Sequence, residues 1–273
     1  MTDTPRKGSR TLQLEVHLPA DPDVVWKMLT DPKELAQWFA PFVESTGPGV
    51  HGDVLTLGWG PEVQWRSRLD AAEPGRRVRW IDPSADPTST EPPEGMVVEW
   101  TLAPERGGTR LRLVNSGFGE GPDWDDQYDA THAGWRFFLW HLEEVLRLHR
   151  AERRVMVSTR RASHLSREAL GARLYGPEGL ALEPPSPTAG STARLRLGAP
   201  QQIEVTHARL PTHLWGRLPG LGGAVLLIEM EPGGDGFHTG FWISTWRLGA
   251  DAVRKLQAAL DGVADAVFGP PPA

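Results

Sequence analysis

Cysteine is absent from the 273 residues. This excludes disulfides and thiol chemistry and fits a reducing cytosol, so the expected location is cytoplasmic. No apolar run approaches the roughly 18 residues of a membrane span. The opening residues, MTDTPRKGSR, lack the apolar core of a secretion signal. Positive charge is in short supply: the formal net charge is −6 and no long basic run occurs, which argues against a nucleic-acid partner. No HExxH metal motif and no GxSxG nucleophile elbow is present, so no metal, cofactor or catalytic residue is assigned. Tyrosine is scarce as well, 2 residues against 12 tryptophans. That ratio supplies flat apolar faces with few hydroxyls, which suits a pocket for an apolar molecule or a tightly filled core.

The rest of the chain is organised around Asp123–Arg150, DWDDQYDATHAGWRFFLWHLEEVLRLHR. Trp124, Tyr128, Trp135, Phe138, Leu139, Leu142, Val145 and Leu146 recur at steps of three and four, giving one broad aromatic stripe on a long helix. Asp123, Asp125 and Asp126 in the first turn and Arg147, His149 and Arg150 in the last suit the helix dipole. Gly134 costs about 1 kcal/mol against alanine without breaking the pattern. Phe137 and Trp140 fall on the far side, with Ala133, Arg136, Glu144 and Arg147. Two large aromatics on that face imply a cover, either a second domain or a partner.

Ahead of this helix, residues 1–10 read as a polar tail. A strand follows over 11–18, with Leu12, Leu14, Val16 and Leu18 on one face. Two short helices begin at Asp21-Pro22 and Asp31-Pro32, each an N-cap with proline at the first helical position. Short alternating segments over 54–59, 63–69, 76–81, 96–102 and 109–114 then predict an antiparallel sheet, with a loop over 82–95. Alternation places Val63, Trp65, Leu69, Val78, Trp80, Met96, Val98, Trp100, Leu102, Leu111 and Leu113 inward. Arg66, Arg68, Arg77, Arg79, Glu99, Arg110 and Arg112 face outward. The long helix belongs on the inner face.

Past Arg150 the pattern restarts: a strand over 153–159, a helix over 167–174, five strands between 193 and 246, and a helix over 250–267. Gly190-Ser191 opens a strand pair as Gly52-Asp53 does, which points to a diverged internal repeat. The predicted fold class is α+β, a domain over 11–152, a second degenerate one over 153–268, and a tail over 269–273.

Few signals could carry chemistry. Gly117-Phe118-Gly119-Glu120-Gly121 lies between strand and helix, but its spacing, its acidic neighbours and the lack of a lysine argue for chain-turning glycines rather than phosphate binding. His141 and His149 read as boundary or surface residues. Ser67 and Thr109 point inward with no base beside them. The inner strand face carries no Asp, Glu, Lys or His, which argues against acid–base catalysis. The main feature is the set Trp65, Trp80, Trp100, Trp135 and Phe138, readable as packed core or as the wall of an apolar pocket. Trp38 and Phe39 read as a plug of the helix end or as a gate.

The segments Val24-Val25-Trp26, Leu29-Thr30-Asp31-Pro32, Leu35, Trp38, Arg77–Trp80, Gly108-Thr109-Arg110-Leu111 and Gly134-Trp135 resemble the START-like helix-grip (SRPBCC) superfamily. Ser116-Gly117-Phe118-Gly119 ahead of a Trp-containing helix is similar to the branch named after the activator of the heat-shock-protein-90 ATPase. The resemblance covers about residues 11–150. It implies a curved antiparallel sheet gripping a long C-terminal helix, with a cavity between them. Members bind lipids, hormones or polyketides, and some cyclise or hydrolyse them. The expectation is a binding protein for a small apolar ligand walled by Trp38, Phe39, Trp65, Trp80, Trp100, Trp135, Phe138, Leu139 and Leu142. The alternatives are a co-chaperone-like interaction module, with Phe137 and Trp140 as interface to a domain or protein partner, and an aromatase/cyclase-type enzyme.

Overall fold

The computed structural model of the chain describes residues 10–60, 64–84, 95–233 and 236–270. Val63, most of the 82–95 loop, the side chain of Asp123 and the outermost residues of both tails lie outside the described residues. The chain forms two compact units, Met1–Ala151 and Glu152–Ala273.

In the first unit, β1 (Arg10–Leu18) is followed by α1 (Pro22–Thr30) and α2 (Pro32–Trp38). Strands β2 (Phe42–Ser45), β3 (Val54–Gly58), β4 (Gln64–Glu73), β5 (Arg77–Ile81), β6 (Val97–Glu105) and β7 (Gly108–Phe118) come next, and then α3 (Pro122–Glu144). All strands pair antiparallel, in the order β1-β7-β6-β5-β4-β3-β2. Consecutive strands thus lie side by side, and the first closes onto the last. Arg10 belongs to β1 rather than to the tail: its Nη1 pairs with Asp125 at 2.5 Å and its guanidinium lies over Tyr128. The Asp31 carboxylate accepts from Lys33 N–H at 2.8 Å, the expected cap, whereas Asp21 makes no such bond. The four-residue β2 is absent from the sequence-based expectation, being too short for alternation to register. The last turn of the long helix is wound as a π-helix, Val145–His149, where Val145 N–H is shared between the His141 and Leu142 carbonyls.

Alternation gives the faces as expected. Leu55, Leu57, Leu69, Val78, Trp80, Val98, Trp100, Leu111 and Leu113 are buried. Arg77 Nε reaches Glu99 at 3.0 Å and Arg79 Nε reaches Asp70 at 2.7 Å on the outer face. These ion pairs keep solvent contact, so each is worth at most about 1 kcal/mol.

The second unit contains β8 (Val155–Ser163), α4 (Arg167–Tyr175), β9 (Thr192–Leu197), β10 (Ala199–Arg209), β11 (His213–Leu218), β12 (Ala224–Gly233), β13 (Gly236–Thr245) and α5 (Ala250–Phe268). Its strand order, β8-β13-β12-β11-β10-β9, repeats the plan of the first unit with one strand and one helix fewer. The hydrogen bonds make the repetition specific. Gly52 N–H donates to the Leu69 carbonyl and Leu69 N–H to that of Asp53; Gly190 N–H donates to the Val205 carbonyl and Val205 N–H to that of Ser191. A bulge follows both, between Leu69 and Ala71 and between Val205 and His207. Two helix-grip folds therefore stand in tandem. From those anchors the strand registers match Trp80 with Gly216, Trp100 with Ile228 and Asn115 with Ile243.

The cores differ in kind. In the second unit α5 sets Leu256, Leu260, Val263 and Val267 against a core that includes Leu214, Leu226, Ile228, Met230, Phe241 and Ile243, largely aliphatic. The first unit fills the same layer with tryptophan and phenylalanine.

Candidate functional site

Phe39 is the centre of that aromatic layer. It sits just past the C-terminus of α2, 2% exposed. The ring centroids of Trp38, Trp59, Trp65, Trp80, Trp135 and Phe138 lie 4.6–6.4 Å from its own. It stacks nearly parallel on Trp135, at 12° and 5.4 Å, and meets Phe138 edge-on at 4.6 Å. Below it, Trp100 stands edge-on to Trp135 at 5.2 Å and to Trp80 at 5.8 Å. Edge-to-face and offset contacts of this kind set positive ring edges against negative faces.

The layer grades from inside to outside. Trp38, Trp80 and Trp100 are wholly buried, and Trp135 is nearly so. Trp59, Trp65 and Phe138 are half-buried and form the rim. Leu139 and Leu142 are buried further along α3. Six of the nine expected wall residues are Phe39 or its ring neighbours, Trp100 joins them through Trp38, Trp80 and Trp135, and the two leucines extend the same helix face. Trp59 was missed, although it shares the parity of Leu55 and Leu57.

Polar atoms inside the layer are few. Trp38 Nε1 donates to the Met28 carbonyl at 2.8 Å, and the Trp38 carbonyl accepts from His141 Nδ1 at 2.7 Å. These bonds tie the end of α2 to α1 and α3. Asn115, on the inner face of β7, accepts from Trp135 Nε1 at 2.9 Å and donates to the Val97 carbonyl at 3.0 Å. Its parity with Leu111 and Leu113 would have found it. The indole N–H groups of Trp80 and Trp100 have no acceptor among the described residues.

Ser67 Oγ donates to the Ile81 carbonyl and Thr109 Oγ1 to that of Ala20, so neither hydroxyl is set beside a base. His141 and His149 are buried, at 1% and 2% exposure, which corrects their expected place at the boundary. His141 is turned inward by its bond to the Trp38 carbonyl. Phe137 is likewise buried despite its place away from the stripe, its ring against Phe138, Trp140 and His141. Trp140 is half-buried and Glu144 buried. The Gly117–Gly121 segment turns the chain. Gly117 has φ +99° and Gly121 φ +106°, and a side chain at Gly119 would overlap the Trp124 indole.

Among the described residues no cluster of three His, Asp or Glu could hold a metal ion, and no helix is long and apolar enough to cross a membrane.

Comparison with known proteins adds the family. No curated protein matches the chain. Among solved structures, the Aha1 dimer from Colwellia psychrerythraea is 18% identical, with 51% of this chain covering 97% of that one at a TM-score of 0.42. DynU16, a protein of the dynemicin biosynthetic locus, is 19% identical over 94% of this chain and 96% of its own, at 0.41. The di-domain ARO/CYC BexL from the BE-7585A biosynthetic pathway is 17% identical over 94% and 91%, at 0.44. The model of the family described as Activator of Hsp90 ATPase homolog 1-like protein matches residues 19–147, from just after β1 to the π-helical turn. Over that stretch the first unit is similar to the Activator of Hsp90 ATPase homolog 1-like family, and its sheet and long helix have the helix-grip arrangement.

Proposed function

We propose that the first unit binds a small, flat, apolar molecule within its aromatic layer, with Phe39 as the ring that gives way. The observation that carries this reading is the continuous path of rings from the half-buried rim of Trp59, Trp65 and Phe138, through Phe39, to the buried Trp80, Trp100 and Trp135. A flat ring entering there takes the place of Phe39 against the same indoles, so its dispersion and edge-to-face attraction offset what the displaced ring gives up. The tandem copy supports the assignment. It keeps the fold with Gly216 and Ile228 where the first unit has Trp80 and Trp100, so the fold alone does not require this concentration of indoles.

Titrating the isotope-labelled full chain with naphthalene tests the reading. The indole signals of Trp65, Trp80, Trp100 and Trp135 are expected to move together and saturate at one molecule per chain, while those of Trp215 and Trp242 stay. Indole signals of the first unit that stay fixed up to the solubility limit of naphthalene overturn it. That outcome favours the protein-interaction module with a dry core, with Trp140 beside Phe137 as the face a partner meets.

A further inference from the structure

Four indoles meet in the interior of the first unit, and the chain provides acceptors for two of them. Trp38 Nε1 has the Met28 carbonyl and Trp135 Nε1 has Asn115 Oδ1. Trp80 and Trp100, each 0% exposed, have no acceptor among the described residues, and their rings are 5.8 Å apart. Buried donors without acceptors are rare in native interiors, because the desolvated N–H recovers nothing for the water it gave up. Two of them side by side imply an acceptor that the described residues do not contain.

The cross-strand neighbours narrow what that acceptor is. Trp100 lies between Val78 and Leu113, and Trp80 between Leu69 and Val98. A buried water donates as well as accepts, and these four side chains offer its hydrogens no acceptor. A carbonyl oxygen on an aromatic ring needs only donors, and brings its own apolar body. The fold does not explain the pair either, since Gly216 and Ile228 stand at the matching positions of the tandem copy and offer no side-chain donor.

Resting on the binding reading above, we propose that the molecule taken by the first unit is an aryl ketone or quinone whose oxygen accepts hydrogen bonds from Nε1 of Trp80 and Trp100. The apolar ring takes the place of Phe39 against Trp135, and the indole pair selects the oxygen. The site thereby discriminates between flat aromatics of equal size, which an apolar wall alone does poorly, because its unpaired donors reject a guest that cannot accept.

Acetylnaphthalene and ethylnaphthalene have nearly the same shape, and only the first carries an acceptor. Titration of the isotope-labelled full chain with each is expected to show acetylnaphthalene binding at least about tenfold tighter, equivalent to about 1.4 kcal/mol. It should move the Trp80 and Trp100 indole N–H signals downfield, as a new hydrogen bond does, while ethylnaphthalene does not. Trp100→Ile, which installs the residue of the tandem copy, should bring the two affinities within about threefold of each other. The signal shifts in the unaltered protein decide the matter should that variant fold poorly. Equal binding of both compounds without downfield movement overturns the proposal and leaves the aromatic site standing. Failure of both compounds to bind overturns the proposal and the site together.

Discussion

Trp135 on α3 donates its indole N–H to Asn115 Oδ1 on β7 at 2.9 Å, and Asn115 Nδ2 donates in turn to the Val97 carbonyl of β6 at 3.0 Å. One amide thus fixes the rotation of the long helix relative to two strands, inside a layer that is otherwise apolar. Register matches Asn115 with Ile243 of the tandem copy, whose side chain can make no such bond. Polar fixation of the helix at this position is a device of the first unit alone.

Asn115→Ala should lower the stability of the first unit by about 2–4 kcal/mol, since two buried groups are left without their partner. Trp135→Phe should cost less in hydrogen bonding, because it leaves one buried group, Asn115 Oδ1, without its partner rather than two. In the double variant the combined cost should fall short of the sum by about 1 kcal/mol. Urea unfolding followed at the first-unit indole signals measures this, and strict additivity would show that the bond contributes nothing.

Phe39→Ala removes the ring around which the aromatic layer is packed. The expected destabilisation is about 3–5 kcal/mol, from transfer and cavity effects together. Naphthalene should then bind the variant more tightly than the unaltered chain and bring the urea midpoint part of the way back. A destabilisation below about 1 kcal/mol would mean that the layer closes without Phe39.

Gly117→Ala tests the chain-turning role of the Gly-rich segment. Its φ of +99° suits glycine, and an added Cβ would overlap the Gly95 carbonyl oxygen. The expected cost is about 2 kcal/mol or more. Gly134→Ala, in α3 with open space around the added carbon, should instead be neutral or stabilising by up to about 1 kcal/mol. Thermal unfolding separates the two, and similar midpoints would refute the conformational argument.

The second unit should show opposed pH limbs. Burial, aided by Glu231 and opposed by the Trp242 hydrogen bond, pushes the Glu229 carboxyl from 4.5 up to about 8. Burial, aided by His207 and Arg209, pushes the His213 imidazole from 6.5 down to about 4. The two residues face each other across β11 and β12. Folded Glu229 keeps a proton that the unfolded chain has released, so its contribution is lost as pH rises from 4.5 to 8. Folded His213 refuses a proton that the unfolded chain takes, so its contribution is lost as pH falls from 6.5 to 4. The two offset each other between 4.5 and 6.5. Stability should fall on either side by less than about 1.4 kcal/mol per pH unit, because Glu229 keeps some solvent contact. Glu229→Gln should flatten the alkaline limb and His213→Asn the acid one. A Glu229→Gln protein with an unchanged alkaline limb would remove the carboxyl as its cause.

What the sequence determined by itself is the plan. Period-two alternation placed Trp65, Trp80 and Trp100 inward and the arginines of β5 outward. The stripe of α3 found the helix that the sheet grips, and the Gly-initiated turns at 52 and 190 revealed the repetition. These signals are local, carried by residues two to four apart, and burial of one face enforces them. Only the tertiary structure decided the interior. Phe39 lies just past the end of a short helix, where no period applies, and becomes the hub only because rings from β4, β5, α3 and the end of β3 converge on it. His141 turns inward through its bond to the Trp38 carbonyl, far away in sequence. Whether an indole N–H is partnered depends on an acceptor well separated along the chain, as Trp135 finds in Asn115 and Trp80 and Trp100 do not find among the described residues.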